Sequence, residues 1–324
     1  MLYDGAGTSA GDAETLRAIP HSARADERIA ILQEANEIAV QKFLQRLQEK
    51  LQYDAPPGTE DFVFFEGGSG KGAALQQYDA VFGQQMKSVI AVELSDHQYQ
   101  AQRQHVDQWI SEGKGGFTAE NTLFIEDPEA FFSQRPGEAY ATLAEKFRYI
   151  LVKGDVHLEL ERSQRAALEY DAAIFIESII HMDRQQVVEA VMEVLSEGGM
   201  LALTDVGVVS ALNWISLFVA RLLNNRANVT PNGAEWWQEQ YGEQIVALVN
   251  KNEDQRETAR QLAAMLRDRE MFSQVMKIFT EQGGMSTAQA LRQYVLDFLL
   301  FSSGAPIVTT YDVTLQKPYA QQEE

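Results

Sequence analysis

Residues 62–75 read Phe62-Val63-Phe64-Phe65-Glu66-Gly67-Gly68-Ser69-Gly70-Lys71-Gly72-Ala73-Ala74-Leu75. A short aromatic and β-branched run meets an acid, then a glycine-rich turn, then helix-forming Ala and Leu. That order spells strand, turn, helix. Glycines in such a turn reach φ > 0 and let backbone N–H groups approach a ligand at the start of the helix. The spacing excludes two phosphate loops. A Walker A loop needs glycine where Phe65 stands and a hydroxyl where Gly72 stands, and glycines at 68, 70 and 72 lack the step of a dinucleotide GxGxxG.

The same texture recurs downstream. Ser88-Val89-Ile90-Ala91-Val92 ends in Glu93, Tyr149-Ile150-Leu151-Val152 in Lys153-Gly154-Asp155, Ala172-Ala173-Ile174-Phe175-Ile176 in Glu177, and Met200-Leu201-Ala202-Leu203-Thr204 in Asp205. Helical segments separate these runs, and strands apolar on both faces that alternate with helices indicate a parallel α/β sheet. Upstream, apolar residues from Ala25 to Leu51 recur near a 3.6 period, so a long amphipathic helix is expected until Pro56-Pro57-Gly58 breaks it. Residues 111–146 exceed what a crossover needs and read as an insertion. From Val209 to about Ser303 the chain reads as helical throughout and rich in aromatic rings, and 306–315 reads as a terminal strand. The expected division is an arm and helix at 1–60, a core at 61–210, a helical lid at 211–304 and a core-completing strand at 305–324.

Composition narrows the partners. The 324 residues are 45% hydrophobic, enough for a sizeable core, and carry 47 acidic against 27 basic residues for a net charge of −20. Nucleic acid and anionic membrane surfaces would need a basic face, so neither is expected as a partner. The absence of cysteine removes disulfides, thiolate metal sites and a thiol nucleophile. With no leader-like N-terminus and no apolar run of about 18 residues, a soluble, cytoplasmic protein without membrane insertion is expected. Nothing in the sequence sets the oligomeric state.

Glu93 closes the second strand about twenty residues past the last glycine, where doubly wound folds place an acid on a ribose diol. Alternatively it is a solvated residue opening a loop. Two acids at neighbouring strand ends suit a neutral or cationic adenosine ligand better than a pyrophosphate.

Glu66-Gly67-Gly68-Ser69-Gly70-Lys71-Gly72 resembles the E/D-x-G-x-G-x-G motif of the class I S-adenosylmethionine-dependent methyltransferases. Gly154-Asp155-Val156 with Tyr170-Asp171-Ala172-Ala173 is similar to that family's "GDa … fDxv" pair. Glu177-Ser178-Ile179-Ile180-His181-Met182-Asp183-Arg184 and Val194-Leu195-Ser196-Glu197-Gly198-Gly199 resemble "ESLHHMPDR … VLRPGG" of small-molecule members such as the rebeccamycin-type sugar O-methyltransferases. The resemblance covers residues 61–210 and the last twenty. It departs where that subgroup has paired histidines, which are Ile180 and His181 here, and in the long gap from Glu93 to Asp155.

The resemblance implies a Rossmann-like, seven-stranded, doubly wound sheet with an N-terminal helical arm and a helical lid. It implies S-adenosyl-L-methionine as cofactor and S-adenosyl-L-homocysteine as product. The cofactor residues would be Glu66 near the methionine amino group, Gly67, Gly68, Gly70 and Gly72 in the turn, Glu93 on the ribose, Leu94, Asp155 by the adenine amino group, Val156 and Glu177. No metal is implied, and His21, His97, His105 and His157 have no ligand-like spacing.

His181 follows a core strand at the edge where a small-molecule acceptor would sit, and an imidazole with a pKa of about 6.5 can take a hydroxyl proton at neutral pH. Its alternative is a helix-capping or packing role. Asp205 would orient that imidazole or bind the acceptor hydroxyl, or is a loop acid. Trp214, Phe218, Trp236 and Trp237 would face an apolar acceptor pocket, or serve as lid core. O-methylation leads these readings; N- or C-methylation, and a non-methylating cyclase or scaffold of the same fold, are the rivals.

Overall fold

The computed structural model describes residues 12–19, 25–54, 61–176, 178–179, 182–208, 230–231, 233–251, 257, 260–261, 264, 267–277, 280, 286–302 and 308–319. In chain order come α1 (Ala13–Arg17), α2 (Ala25–Asp54), β1 (Phe62–Gly67), α3 (Leu75–Phe82), β2 (Met86–Glu93), α4 (Asp96–Glu112), β3 (Thr122–Ile125), α5 (Pro128–Gln134) and α6 (Tyr140–Ala144). Then follow β4 (Tyr149–Lys153), α7 (Val156–Arg165), β5 (Tyr170–Ile176), α8 (Arg184–Val194), β6 (Leu195–Val208) and β7 (Thr230–Pro231). The last elements are α9 (Gly233–Tyr241), β8 (Ile245–Asn250), α10 (Arg269–Lys277), α11 (Thr287–Ser302) and β9 (Val308–Gln316).

Every residue of β1 is buried. Strand alternation sends Phe64 to one face, with ring centroids 5.9 Å from Tyr78 and 4.6 Å from Phe82, and Phe65 to the other, 5.4 Å from Tyr170. Both faces are therefore covered, as a central parallel strand requires. Phe64 exposes nothing, and truncating it to alanine would cost about 3–5 kcal/mol. On the Phe64 side, α2 adds Val40, Phe43, Leu44, Leu47 and Leu51, spaced three and four apart so that one stripe faces the core.

β1 lies between β2 and β5, and β4 and β3 extend the β2 side; all of these pairings are parallel, as is β5 with β6. The carboxyl ends of β1, β2, β4 and β5 thus share one edge. The sheet runs β3-β4-β2-β1-β5-β6-β9-β8, with the two-residue β7 paired to the end of β6. Its eight-strand path replaces the seven expected. The added strand, β3, comes from residues 111–146, which hold a strand and two helices; at four residues, two of them half-buried, it leaves little pattern to read. β9 runs against β6, since Lys317 N–H donates to the Gly199 carbonyl at 2.9 Å while Thr204 meets Asp312 at 2.9 Å further along, so the sheet is mixed.

A second difference is β8, inside the stretch that reads as helical. Its Ile245-Val246-Ala247-Leu248-Val249 run is only half-buried at the sheet's end, and α9 immediately upstream carries the helical texture that masks it.

The chain divides into two compact units, one of residues 40–205, 237–248 and 312–324, the other of 1–39, 206–236 and 249–311. In the second, Asp12 caps α1 by accepting from Thr15 N–H at 2.9 Å, and Phe272 of α10 meets Tyr294 of α11 edge-on at 4.6 Å. Among the described residues no helix is long and apolar enough to cross a membrane.

Candidate active site at the carboxyl edge of the sheet

The glycine turn is tied to β2 at three points. Gly68 and Ser69 N–H donate to the Val92 carbonyl at 2.8 and 3.0 Å, and Gly70 N–H donates to Glu93 Oε2 at 2.8 Å. Glu93 Oε1 accepts from Ser95 N–H at 2.8 Å, so this acid, buried at the end of β2, organises the loops on either side of it. Positive φ demands glycine at 68, 70 and 72. Gly68 has φ of 68°, and a Cβ there would sit 2.3 Å from Ser178 Cβ. Gly70 has φ of 55° and faces open space, so a side chain would project into the volume the turn frames. Gly67 is fixed by packing instead, since a Cβ would lie 2.1 Å from the Phe175 ring, and Gly72 closes the turn by donating to the Ser69 carbonyl at 3.0 Å.

Glu66, registered between Ala91 and Ile174, is 3% exposed, and its Oε2 has no hydrogen-bond partner. Burial pushes its carboxyl up to about 8; the neighbouring Tyr78 hydroxyl opposes that shift and the Glu93 carboxylate adds to it. The Tyr78 hydroxyl is itself buried beside Glu66. Beneath the turn, fully buried Gln102 of α4 donates through Nε2 to Ser69 Oγ at 2.7 Å, leaving its Oε1 unpartnered, and His105 Nδ1 lies 3.1 Å from the Lys71 carbonyl. Sequence reasoning did not single out Ser69, Tyr78 or Gln102; only Ser69 lies within the motif, and the other two are placed by the packing of α3 and α4.

The adjacent strand ends add further groups. Asp155 caps α7, with Oδ1 accepting from His157 and Leu158 N–H at 2.9 and 3.3 Å, and Val156 is buried as the first residue of that helix. Leu94, directly after β2, is 65% exposed, and Leu158, in the first turn after β4, is 51% exposed. Because β2 and β4 are paired, with Glu93 opposite Lys153, the two leucines rise from neighbouring strand ends.

On the β5–β6 side the expected roles shift. Asp205 is fully buried and accepts from Arg184 Nε at 3.0 Å and Nη2 at 2.8 Å, and from the Trp237 indole at 2.9 Å. These bonds tie β6 to the first turn of α8, so its carboxylate serves a buried ion pair instead of standing open to an acceptor. Trp237, expected in a pocket wall, has no exposed surface and offers no face to a ligand; its N–H, once buried, needs an acceptor and takes Asp205. Trp236 is half-buried. His181, Glu177, Trp214 and Phe218 lie outside the described residues. Among those described, no group of His, Asp and Glu is arranged to hold a metal ion.

No protein-family model and no curated protein sequence matches the chain. Solved structures do. The geranyl diphosphate C-methyltransferase of Streptomyces coelicolor A3(2), solved with Mg2+, geranyl diphosphate and S-adenosyl-L-homocysteine, superposes with a TM-score of 0.54 at 11% identity, over 94% of this chain and 87% of that one. The fold is that of the class I S-adenosylmethionine-dependent methyltransferases. A cyclopropane synthase from Mycobacterium tuberculosis matches at 0.50 and 13% identity over 85% and 84% of the two chains, and the cyclase SpnF at 0.51 and 14% over 85% and 81%. In this methyltransferase fold the glycine turn, Glu93 and Asp155 fall at the carboxyl ends of β1, β2 and β4. The residues present suit a cationic adenosine cofactor: a buried carboxyl with an unsatisfied oxygen, a turn whose middle glycine faces open space, and an acid holding that turn.

Proposed function

We propose that the chain is an S-adenosylmethionine-dependent methyltransferase acting on a small, largely apolar acceptor, by O-methylation of a hydroxyl with His181 as general base. The observation that supports it best is the set at the ends of β1 and β2, where Glu93 grips Gly70 N–H beside the buried carboxyl of Glu66, whose Oε2 lacks a hydrogen-bond partner. When bound, S-adenosylmethionine supplies a methyl group already attached to a good leaving group. The chain's task is then alignment, exclusion of water and removal of one proton.

Glu93, which holds Gly70 and Ser95, is the proposed acceptor for a ribose diol. Exposed Leu94 and Leu158 would offer apolar faces to a purine, and Asp155, at the end of β4, would take its amino group. His181 stands three residues before Arg184 in sequence, and Asp205 acts through that arginine as a positioning residue at the start of α8. Trp214, Phe218 and Trp236 remain the proposed acceptor-facing rings, and Trp237 belongs to the core.

The test is release of S-adenosylhomocysteine on incubation with candidate hydroxylated acceptors, with product mass spectrometry to locate the methyl. His181→Ala should lower turnover by about 10²–10⁴-fold with cofactor affinity nearly intact, and wild-type turnover should fall as pH drops through the histidine's pKa. A flat pH profile with most activity retained would transfer the assignment to N- or C-methylation. The fold shared with the cyclase SpnF favours one further reading: product formed without a new methyl and without S-adenosylhomocysteine would identify a non-methylating member.

A further inference from the structure

Under the glycine turn three buried polar atoms lack hydrogen-bond partners: Glu66 Oε2, Tyr78 Oη and Gln102 Oε1. Buried polar groups in folded proteins are nearly always satisfied, so a buried carboxyl with a bare oxygen at the strand end that opens the glycine turn calls for a function. Glu66 is the chargeable member, and it has no ion-pair partner among the described residues. We propose that Glu66 carries a proton while the site is empty and surrenders it when a cationic ligand binds, so that cofactor capture is coupled to release of one proton. This rests on the assignment of S-adenosylmethionine above and adds a pH dependence to it.

The surroundings of Glu66 support the coupling element by element. From β2 comes Glu93, a like charge that penalises ionisation. From α3 comes the Tyr78 hydroxyl, buried and of raised pKa, which stays neutral. β5 carries Asp171, at the opposite end of β1, where it accepts from Val63 N–H at 2.8 Å, and Tyr170, whose ring lies 5.4 Å from that of Phe65 on the other face of the sheet. From α4 come uncharged Gln102, spent on Ser69, and His105, which meets the Lys71 carbonyl. Lys71 itself is half-buried within the turn. Burial with these neighbours places the Glu66 carboxyl at about 8, so it is protonated at neutral pH. A ligand cation brought to its unsatisfied oxygen restores the charged form, and the proton passes to buffer: carboxylic acid plus cation becomes carboxylate–cation pair plus hydron. Atoms and charge balance without a redox partner.

Linkage fixes the sign. Where the free protein holds the proton and the complex does not, affinity rises by up to about tenfold per pH unit until the free group itself ionises. The experiment is calorimetry with S-adenosylmethionine at about pH 6 and pH 7, each in phosphate and in imidazole, whose ionisation enthalpies differ widely. Release of nearly one proton by wild type, an affinity that climbs several-fold from pH 6 to 7, and loss of both effects in Glu66→Gln support the proposal. Infrared difference spectra of wild type provide a check that needs no variant: a protonated carboxyl band should vanish on adding the cofactor. Binding without proton release, or release unchanged in Glu66→Gln, overturns the proposal while leaving the cofactor assignment standing. No binding at any pH overturns both. S-adenosylhomocysteine, which keeps the amino group but lacks the sulfonium, identifies the responsible cation: equal proton release assigns the ammonium, and release with S-adenosylmethionine alone assigns the sulfonium, either of which supports the coupling.

Discussion

Glu66 and Asp205 are both buried acids near the carboxyl ends of parallel strands, yet their surroundings are opposite. Asp205, on β6, is saturated by a two-pronged arginine and an indole N–H from within the chain. Glu66, on β1, has a bare oxygen and a like-charged neighbour. A carboxylate that finds its cation internally is committed to architecture, whereas one buried without a cation is held toward its neutral form. The same contrast extends outward. On β9, Asp312 takes Arg46 and Thr204, while at the end of β2 Glu93 takes the backbone N–H groups of the turn that frames the site.

Breaking this contrast should have its largest effect on the β6 side. Asp205→Ala leaves Arg184 buried without its counter-charge, and urea denaturation should show a loss of about 3–5 kcal/mol. A loss under about 1 kcal/mol would mean that the pair is dispensable and the contrast misdrawn.

On the β1–β2 side, substitution should spare folding and strike binding. Glu93→Ala removes a charged acceptor from Gly70 N–H and from the proposed ribose diol, and titration calorimetry should show cofactor affinity reduced by roughly 10–100-fold. Gly70→Val, which adds a branched side chain at φ of 55° in the open volume, should do likewise. Wild-type affinity in Glu93→Ala would sink the cofactor assignment.

The pH dependence carried by Glu66 is the most diagnostic. Glu66 folded titrates near 8 against 4.5 for the free side chain, so between those values the folded chain binds the extra proton. Stability should therefore be full below about pH 4.5 and decline as pH rises toward 8, and Glu66→Gln should flatten that decline. Urea midpoints at acidic, neutral and mildly alkaline pH measure it; equal slopes in both proteins would show that Glu66 is not the group responsible.

The β1–β2 side is also where the sequence speaks most clearly. Strands buried on both faces must be continuously apolar, and a turn requiring φ > 0 must be glycine, so Phe62 to Gly72 announces strand and turn together. Edge strands carry no such obligation: β3 and β8 are partly exposed and lie in contexts rich in helix-forming residues, which is why one reads as insertion and the other as helix. Pairings between residues distant in sequence leave no local trace at all. Nothing near Trp237 indicates that its indole will meet Asp205, and a tryptophan bound for a pocket wall is spelled the same way as one bound for the core. Gln102 and Tyr78 are hidden likewise, since helix packing alone brings them under the turn.

The placement of β9 between β6 and β8 has a consequence for how the chain is made. As the polypeptide leaves the ribosome, β6 and β8 are both complete before the strand that must separate them exists. β6 then has one unpaired row of backbone N–H and carbonyl groups, and β8, which has only β9 as a neighbour along the sheet, has neither row paired, so direct pairing of β6 with β8 is the trap within reach. Closure of the sheet is deferred until Gln316 has emerged, and a nascent chain stalled before that point presents these open strand edges to chaperones and to its neighbours on the same message.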